Sequence, residues 1–295
     1  MEKNNITLYP PSGTRDFKPE DLRKREWIFD KWKRTSLLYG FEPYDSSVVE
    51  HANLYTRKGG DDILKEMFTL SVGDVDLVLR PEMTPTLARM MMVELPRSPY
   101  TPLRWFTERA QCWRYETTSL GRKREHYQWN ADIFKADGIE YELELFQMII
   151  HLLKDVGITS NDLIIKVSNR MIFQKILTTL GVEMDLFQKT CNIIDRIKKL
   201  SDIDFETSLI EEIGLTLDKV NIIRKLVMIT NIDELKEFLP ADDDTIIELN
   251  TLFDLAKQIG IGEWLTFDVS IVRGLSYYTG TVFEGFFKIS FYLKL

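Results

Sequence analysis

The most constraining feature of the sequence is a pair of aromatic, alternating segments joined by a short polar loop. The segments read LRWFTERAQCWRYE (103–116) and REHYQWNADIFKA (124–136), and the loop TTSLGRK between them contains one glycine. Aromatic residues alternating with polar ones are typical of β-strands, and a short glycine-containing loop is typical of a hairpin. We therefore predict a long antiparallel hairpin at the centre of the fold.

One face of this hairpin is predicted to be polar. Arg114 and Glu116 are two residues apart and so face the same side, and Gln128, Asn130 and Asp132 alternate on the second strand. The whole chain has a formal net charge of −8, so the positive charge here is local. The residues alone leave two hypotheses open. The hairpin is either a solvated surface with weak cross-strand ion pairs, or a site where arginines bind phosphate.

The segment before the hairpin is predicted to contain a helix and a second hairpin. Residues 19–41 form an amphipathic pattern that Gly40 ends. The core candidates on this helix are Leu22, Phe29, Trp32 and Leu37. Residues 67–80 alternate around a turn at Gly73–Asp74, which predicts two strands, and a helix follows Pro81 and Pro85.

The segment after the hairpin is predicted to be helical over a long stretch and then to return to strands. A helix ending at Gly157 and a strand at 162–169 come first, and helical patterns occupy 170–262. The fold class predicted is α+β, an antiparallel body interrupted by a helical insertion. The predicted domains are a core at 1–169, an insertion at 170–262 and a return to the core at 263–295.

Composition excludes several classes of protein. The longest apolar stretches are too short to cross a bilayer, and the start MEKNNITLYPPSGTRDF lacks a secretory pattern. Three histidines without i,i+4 spacing give little support to a zinc site, so we predict no protein-built metal centre. Cys112 and Cys191 are expected to be buried, reduced thiols. We predict a cytoplasmic protein, with an organelle as the alternative.

Several segments, in order, resemble motifs of class II aminoacyl-tRNA synthetases. RYE…GRKREHYQ resembles motif 2, and GFEPYDSSVVEHANLY resembles motif 1, a dimer-interface element with Pro43 as its key residue. LRPEMTPTLAR and PPSGTRDF resemble segments of the histidyl enzymes, and RGLSYYTGTVFE is similar to their most specific signature. The resemblance covers nearly the whole chain. It implies a class II antiparallel sheet flanked by helices, and a homodimer formed through motif 1.

The resemblance implies an ATP site on the polar face of the hairpin. Arg114 would bind the α-phosphate of ATP, Glu116 would accept from the adenine amino group, and Arg122 would reach the γ-phosphate. His126 stands where many class II enzymes stack a phenylalanine on adenine. The implied cofactors are ATP, as substrate, and Mg²⁺.

The resemblance also implies a histidine site and an activity. The activity is ATP-dependent formation of histidyl-adenylate followed by transfer to tRNA(His). The α-amino group of histidine would meet Glu82, Thr84 and Gln128. The imidazole would meet Asp132, Tyr277 and Tyr278. Arg273 would contact the histidine carboxylate and the α-phosphate, which makes Arg273 and Arg114 the predicted catalytic residues.

Each of these assignments has a structural alternative. Tyr277 and Tyr278 are also ordinary strand aromatics, and Glu82, just after Pro81, is also a helix-start acid that would interact with free N–H groups. Ser276 replaces the family's usual aspartate, and its side chain would point away from the site of the two neighbouring tyrosines.

The sequence also departs from the family at its C-terminal end. FKISFYLKL resembles neither motif 3 nor an anticodon-binding domain. We therefore expect a chain that stops before both, with little or no aminoacylation by residues 1–295 alone. The alternative function is a non-catalytic relative, such as the regulatory subunit of ATP phosphoribosyltransferase, which senses histidine. An unrelated soluble α+β protein is the third hypothesis.

Overall fold

The chain divides into two compact units, Met1–Asp137 and Gly138–Leu295. The computed structural model describes residues 7–56, 61–99, 102–119, 121–197, 200–272 and 278–288. In this described part, no helix is both long enough and apolar enough to cross a membrane. The two units are called the N-terminal and C-terminal units below, and each is described by itself.

The N-terminal unit consists of two small sheets with helices. Its elements in chain order are α1 (Pro19–Leu38), β1 (Glu42–Pro43), β2 (Val49–His51), α2 (Ala52–Thr56), α3 (Asp61–Glu66), β3 (Phe68–Val72), β4 (Val75–Leu79), α4 (Thr84–Glu94), β5 (Leu103–Trp113) and β6 (Glu125–Phe134). One sheet has the order β1-β5-β6 and the other β2-β4-β3. The predicted hairpins correspond to β3–β4, which turns at Gly73 with a φ of 60°, and to β5–β6.

The β5–β6 pairing contains a β-bulge that changes which residues of β5 share a face. Thr107 pairs with Asn130, and the next pair along the ladder is Ala110 with Gln128. Two residues of β5, 108 and 109, therefore lie opposite Trp129 alone, as a bulge requires. The even-numbered residues of β6 therefore share a face with two sets of β5 residues. These are the odd-numbered residues before the bulge and the even-numbered residues after it.

Helix α1 covers the opposite face of this sheet. The indole N–H of Trp129 donates to Ser36 Oγ at 2.9 Å, and the rings of Trp129 and Trp32 stack with centroids 6.2 Å apart. Phe29 packs edge-on against Tyr127 at 5.2 Å. The odd-numbered side chains of β6 are thus core, which leaves the even-numbered ones for the other face.

The predicted core of α1 is partly wrong. Phe29 is buried and Trp32 is half-buried, but Leu22 and Leu37 are exposed. The buried face of α1 passes through Phe29 and Ser36, which are seven residues, or two turns, apart. Leu37 lies one residue, about 100°, past Ser36 and so points away from the sheet. The small polar Ser36 is buried because it meets Trp129.

The C-terminal unit joins a three-stranded sheet to a helical layer. Its helices and strands are α5 (Ile139–Asp155), β7 (Leu163–Asn169), α6 (Arg170–Thr179), α7 (Met184–Asp195), α8 (Asp202–Ile213), α9 (Leu217–Leu226), α10 (Asp244–Gln258), β8 (Leu265–Phe267) and β9 (Thr281–Phe287). Strand β7 lies between β8 and β9, so the chain before and after the helices shares one sheet. The predicted domain limits stay predictions.

Two details of the predicted fold differ from the structure. The antiparallel prediction holds for the long pairings, but the short strands β1 and β8 pair in parallel with β5 and β7. Within the predicted helical stretch 170–262, Ile232–Glu237 is a six-residue 3₁₀ helix and not an α-helix. Helix α10 begins at the last residue of the ADDD segment (241–244), where the Asp243 side chain accepts from the Thr245 N–H at 2.9 Å and caps the helix.

The corrected face of α1 gives a first prediction. Phe29 is 3% exposed and Leu37 is 50% exposed. Phe29→Ala should lower the free energy of unfolding by about 3 kcal/mol because it leaves a cavity against β6, whereas Leu37→Ala should change it by less than about 1 kcal/mol. Urea denaturation of the two variants measures both effects. Equal losses would show that α1 buries the face that the sequence pattern predicted.

Candidate functional site

The polar face of the β5–β6 hairpin brings together most of the predicted site residues of the N-terminal unit. Three of them, His126, Gln128 and Asp132, alternate along β6. Cys112 pairs directly with His126, and the backbone N–H of Arg114 donates to the carbonyl of Arg124 at 2.8 Å, which continues the ladder past the strand ends. This face is polar although its side chains are half-buried, as a binding cleft requires.

The segment before α4 is held against this face by three hydrogen bonds. Arg114 Nε donates to the carbonyl of Pro81 at 3.0 Å, and the Met83 N–H donates to Gln128 Oε1 at 3.1 Å. The Trp113 N–H donates to the carbonyl of Arg80 at 2.9 Å. Two side chains of the sheet that were predicted to bind ligands therefore also position the segment that carries Glu82 and Thr84.

Glu82 and Thr84 lie at the start of α4. Glu82 is buried, and Thr84 is the first residue of α4. Because Met83 is the N-cap, Glu82 precedes the helix and is not in its first turn. This position disfavours the alternative in which Glu82 serves as a helix-start acid. The Tyr55 hydroxyl donates to the Glu82 carbonyl at 3.1 Å and fixes the backbone at this residue.

Arg80 is a structural residue of the site to which the sequence analysis assigned no role. It is only 1% exposed, and its Nε donates to the carbonyl of Gln111 at 2.9 Å. Its Nη1 donates to both the carbonyl and the hydroxyl of Ser46 at 3.0 Å. A buried arginine needs such partners. The available signal was an arginine directly following the apolar run of β4.

Glu116 and Arg122 are paired with each other across the loop. Arg122 Nη1 lies 3.0 Å from Glu116 Oε2, with side-chain exposures of 70% and 15% respectively. A pair with so exposed a cation contributes little to stability and can be exchanged for other partners. Both groups predicted to contact ATP therefore lie at one end of the polar face.

Arg124 holds the N-terminal segment against the base of this loop. Its backbone N–H donates to the Gly13 carbonyl at 2.8 Å, and its Nη1 donates to the Ser12 carbonyl at 3.2 Å. The guanidinium lies over the Tyr115 ring, 3.9 Å from the centroid. Gly13 has a φ of 85°, and a Cβ added there would lie 2.6 Å from Arg124 Cγ. Only glycine fits this contact without displacement.

His126 and Asp132 are both shifted toward their neutral forms by burial. Burial, and to a lesser extent the nearby positive charge of Arg114, lowers the pKa of His126 to about 4. Burial raises the pKa of Asp132 to about 7. Its Oδ2 is buried and has no hydrogen-bond partner among the residues that the structure describes. A buried carboxylate in this state favours a ligand that supplies a hydrogen-bond donor.

Of the three remaining predicted residues, the structure describes Tyr278. Arg273 and Tyr277 lie outside the described residues. Tyr278, 43% exposed, belongs to the C-terminal unit, a few residues before β9. Over the described ranges, no group of three or more histidine, cysteine, aspartate or glutamate side chains could hold a metal ion.

Comparison with models of protein families shows which family the chain belongs to. The family model described as histidyl-tRNA synthetase matches residues 13–290. The chain belongs to the histidyl-tRNA synthetase family. The match includes every predicted site residue from Glu82 to Tyr278, so the resemblance inferred from the motifs is confirmed.

Curated members of the histidyl-tRNA synthetase family are similar over almost the whole chain. A chloroplastic/mitochondrial histidine–tRNA ligase from Arabidopsis thaliana is 42% identical over 95% of this chain and 57% of its own length. The histidine–tRNA ligase of Leptospira biflexa is 34% identical over 97% of this chain and 65% of its own length. This chain thus spans between about half and two thirds of the length of these relatives.

Solved structures of the family confirm the fold. The histidyl-tRNA synthetase from Nostoc sp. PCC 7120 aligns with a TM-score of 0.77 at 22% identity, covering 95% of this chain and 65% of that one. A Bacillus halodurans structure described as an ATP phosphoribosyltransferase regulatory subunit/histidyl-tRNA synthetase aligns with a TM-score of 0.81 at 19% identity, covering 97% of this chain and 74% of that one. These similarities establish the class II synthetase-like α+β core of the histidyl-tRNA synthetase family.

The burial of Asp132 predicts a pH-dependent effect on stability. The folded chain binds a proton at Asp132 up to about pH 7, but an unfolded chain releases it near the ordinary pKa of 3.8. Through this group, stability falls as the pH rises from about 4 to about 7. Asp132→Asn removes the cost of ionising a buried carboxyl. The substitution should therefore raise the free energy of unfolding at pH 8 by on the order of 2 kcal/mol, with a smaller effect at pH 5.

Urea denaturation of the wild type and Asp132→Asn at both pH values tests this prediction. His126 titrates with the opposite sign, because its lowered pKa costs stability as the pH falls from about 6.5 to about 4. The free energy of unfolding of Asp132→Asn is therefore compared with that of the wild type at the same pH, so that the contribution of His126 cancels. An Asp132→Asn effect that is the same at pH 5 and pH 8 would contradict a raised pKa of Asp132.

Proposed function

We propose that this chain carries the ATP- and histidine-binding parts of a histidine–tRNA ligase. The observation that carries the proposal is the polar face of β5–β6, which bears Arg114, His126 and Gln128. Residues 80–83, which include Glu82, are hydrogen-bonded to this face. The names of the relatives support the activity. Because this chain spans only part of their length, the activity, its substrates and tRNA(His) are proposals for this protein.

The proposed ATP site uses the loop end of the polar face. Arg114 binds the α-phosphate, where negative charge develops when the histidine carboxylate attacks and pyrophosphate leaves. Glu116 accepts from the adenine amino group, and Arg122 moves from Glu116 to the γ-phosphate. His126 is neutral at pH 7 because its pKa is lowered to about 4, so its ring can stack on adenine without repelling Arg114.

The proposed histidine site lies at the other end of the polar face, away from the loop between β5 and β6. Glu82, Thr84 and Gln128 hold the α-amino group, and Asp132 binds the imidazole. Gln128 Oε1 already accepts from Met83, but a carbonyl oxygen has a second lone pair for the amino group. Arg273, at the histidine carboxylate and α-phosphate, and Tyr277 and Tyr278, at the imidazole, complete the proposed set.

We propose that Mg²⁺ enters with the phosphates of ATP. A small, strongly hydrated ion of this kind is usually bound by substrate phosphates and few carboxylates. In the part of the chain that the structure describes, the carboxylates do not form a cage of their own.

The regulatory alternative rests on the similarity to the Bacillus halodurans structure. That similarity, at 19% identity, concerns the fold alone. A histidine sensor would need the pocket around Asp132, but it would not need an ATP site built from Arg114, Glu116 and Arg122. Binding of histidine without binding of ATP by residues 1–295 would favour the regulator.

The compartment stays a prediction. Cytoplasm is the first expectation, and an organelle is the alternative that the name of the Arabidopsis thaliana relative supports. Fractionation of the host cell distinguishes the two, because an organellar protein would sediment with the organelle and not with the cytosol.

Histidine-dependent ATP–pyrophosphate exchange tests the proposed function. We expect exchange from a protein in which residues 1–295 continue into the C-terminal part of the Arabidopsis thaliana relative. Arg114→Ala should lower exchange by about 10²–10³-fold, because one charge-stabilising donor is lost. Arg109→Ala is the control, since Arg109 pairs with Glu26 at 2.9 Å on the covered side of the sheet. Exchange with another amino acid and none with histidine would refute the proposal.

We also propose a homodimer through the motif 1 region around Pro43. The residue lies exposed in β1, and the preceding α1 exposes Trp27 and Leu38. Exposed large apolar side chains on one element favour a protein contact. Sedimentation equilibrium should give twice the chain mass of 34.6 kDa. Leu38→Glu should shift the mass toward the monomer, and a wild-type monomer at micromolar concentration would contradict the proposal.

A further inference from the structure

The peptide bond between Glu82 and Met83 is held at both of its polar atoms. Its N–H, which belongs to Met83, donates to Gln128 Oε1 at 3.1 Å, and its carbonyl, which belongs to Glu82, accepts from the Tyr55 hydroxyl at 3.1 Å. A peptide unit is planar and turns as one rigid body. One peptide plane therefore connects Tyr55 to Glu82 and Gln128, two of the residues proposed to hold the α-amino group of histidine.

Tyr55 is too deeply buried to touch a ligand itself. It lies in α2 and is 1% exposed. Burial raises the pKa of Tyr55 above its usual range; the hydrogen bond with Thr86 opposes this shift, and the negative charge of Glu50 adds to it. The hydroxyl therefore keeps its proton at neutral pH and serves as a hydrogen-bond donor. Any effect of this side chain on a substrate must pass through the residues that it holds.

A chain of hydrogen bonds behind Tyr55 ends in an ion pair. Thr86 Oγ1 lies 2.9 Å from the Tyr55 hydroxyl oxygen and 3.4 Å from Glu50 Oε2. Arg89 donates to the same Glu50 oxygen from Nε at 3.0 Å and from Nη2 at 2.8 Å. Thr86 and Arg89 are three residues apart on α4 and so lie on one side of that helix. Tyr55, Thr86 and Glu50 are all buried, so this chain lies inside the unit.

The distances in this chain indicate which way each hydroxyl proton points. Thr86 has one proton, which can go to Tyr55 or to Glu50. Glu50 Oε2 already accepts twice from Arg89, and its distance to Thr86 is the longer of the two. Thr86 therefore donates to Tyr55, and the single proton of Tyr55 goes to the Glu82 carbonyl.

We propose that Tyr55 is a positioning residue for the α-amino group of histidine. Its hydroxyl fixes the Glu82–Met83 peptide plane, and that plane in turn fixes Glu82 and Gln128. This inference rests on the proposed function, which supplies the role of those two side chains. Acceptors that are aligned before an ammonium group arrives lose less conformational entropy when they bind it. The competing role is structural, since a buried hydroxyl needs partners whatever the substrate.

Calorimetric titration of residues 1–295 with three ligands separates these roles. The ligands are L-histidine, ATP and deamino-histidine, in which hydrogen replaces the α-amino group. Tyr55→Phe keeps the ring and its packing but releases the Glu82 carbonyl. It should weaken L-histidine about tenfold and change the affinity for the other two ligands by less than about twofold. A variant that only loosened the fold of the site would weaken L-histidine and deamino-histidine equally.

Thr86→Val is the matched control. It removes the other hydrogen bond of the same Tyr55 hydroxyl, in the same buried chain. Valine cannot accept a proton, so Tyr55 still donates to the Glu82 carbonyl, and L-histidine affinity should stay within about twofold of the wild type. Urea denaturation should show that Thr86→Val and Tyr55→Phe are both folded and both less stable than the wild type, because each loses a buried hydrogen bond.

Two results would overturn the inference and leave the proposed function standing. Equal weakening of L-histidine and deamino-histidine in Tyr55→Phe would show a structural role. Unchanged affinity for L-histidine would show that the peptide plane keeps its position without the hydroxyl. A wild type that binds ATP but not L-histidine would instead refute the histidine specificity in the proposed function, and this inference with it.

Discussion

The antiparallel pairing of β5 with β6 is the interaction on which the N-terminal unit depends. It separates β6 into an odd face that packs on α1 and an even face that carries His126, Gln128 and Asp132. Because the side-chain period of a strand is two, a register change of one residue would move all three into the core. Trp129 and Tyr127, which pack against α1, oppose that change, since they would have to move to the polar side.

The polar face is organised by side chains with two functions. Arg114 and Gln128 are proposed to bind substrate, and they also hold the backbone at Pro81 and Met83. Arg80 and Arg124 also donate to backbone carbonyls, Arg80 to that of Gln111 and Arg124 to that of Ser12 in the N-terminal segment. A site in which the binding residues are themselves anchored loses less conformational entropy when it binds.

Much of this could be predicted from the sequence, since alternation and turn chemistry are local. The hairpins, the long helices and the polar character of one hairpin face are confirmed. The prediction that Leu22 and Leu37 of α1 are core residues was wrong, because an amphipathic pattern does not show which side of the helix a partner covers. The role of Arg80 was missed because its partners, Gln111 and Ser46, lie more than thirty residues away in sequence.

The sequence by itself determined the family, the order of its motifs and the residue types of the two proposed subsites. These depend on residue identity and spacing along the chain. Only the tertiary structure decided that the bulge after Thr107 places Trp105 and Cys112 on one face. It also decided that the Tyr44 hydroxyl and Asp132 Oδ2 are buried without a hydrogen-bond partner among the described residues. Both depend on which strands become neighbours and in which register, and non-local pairing of that kind is set by packing and not by local pattern.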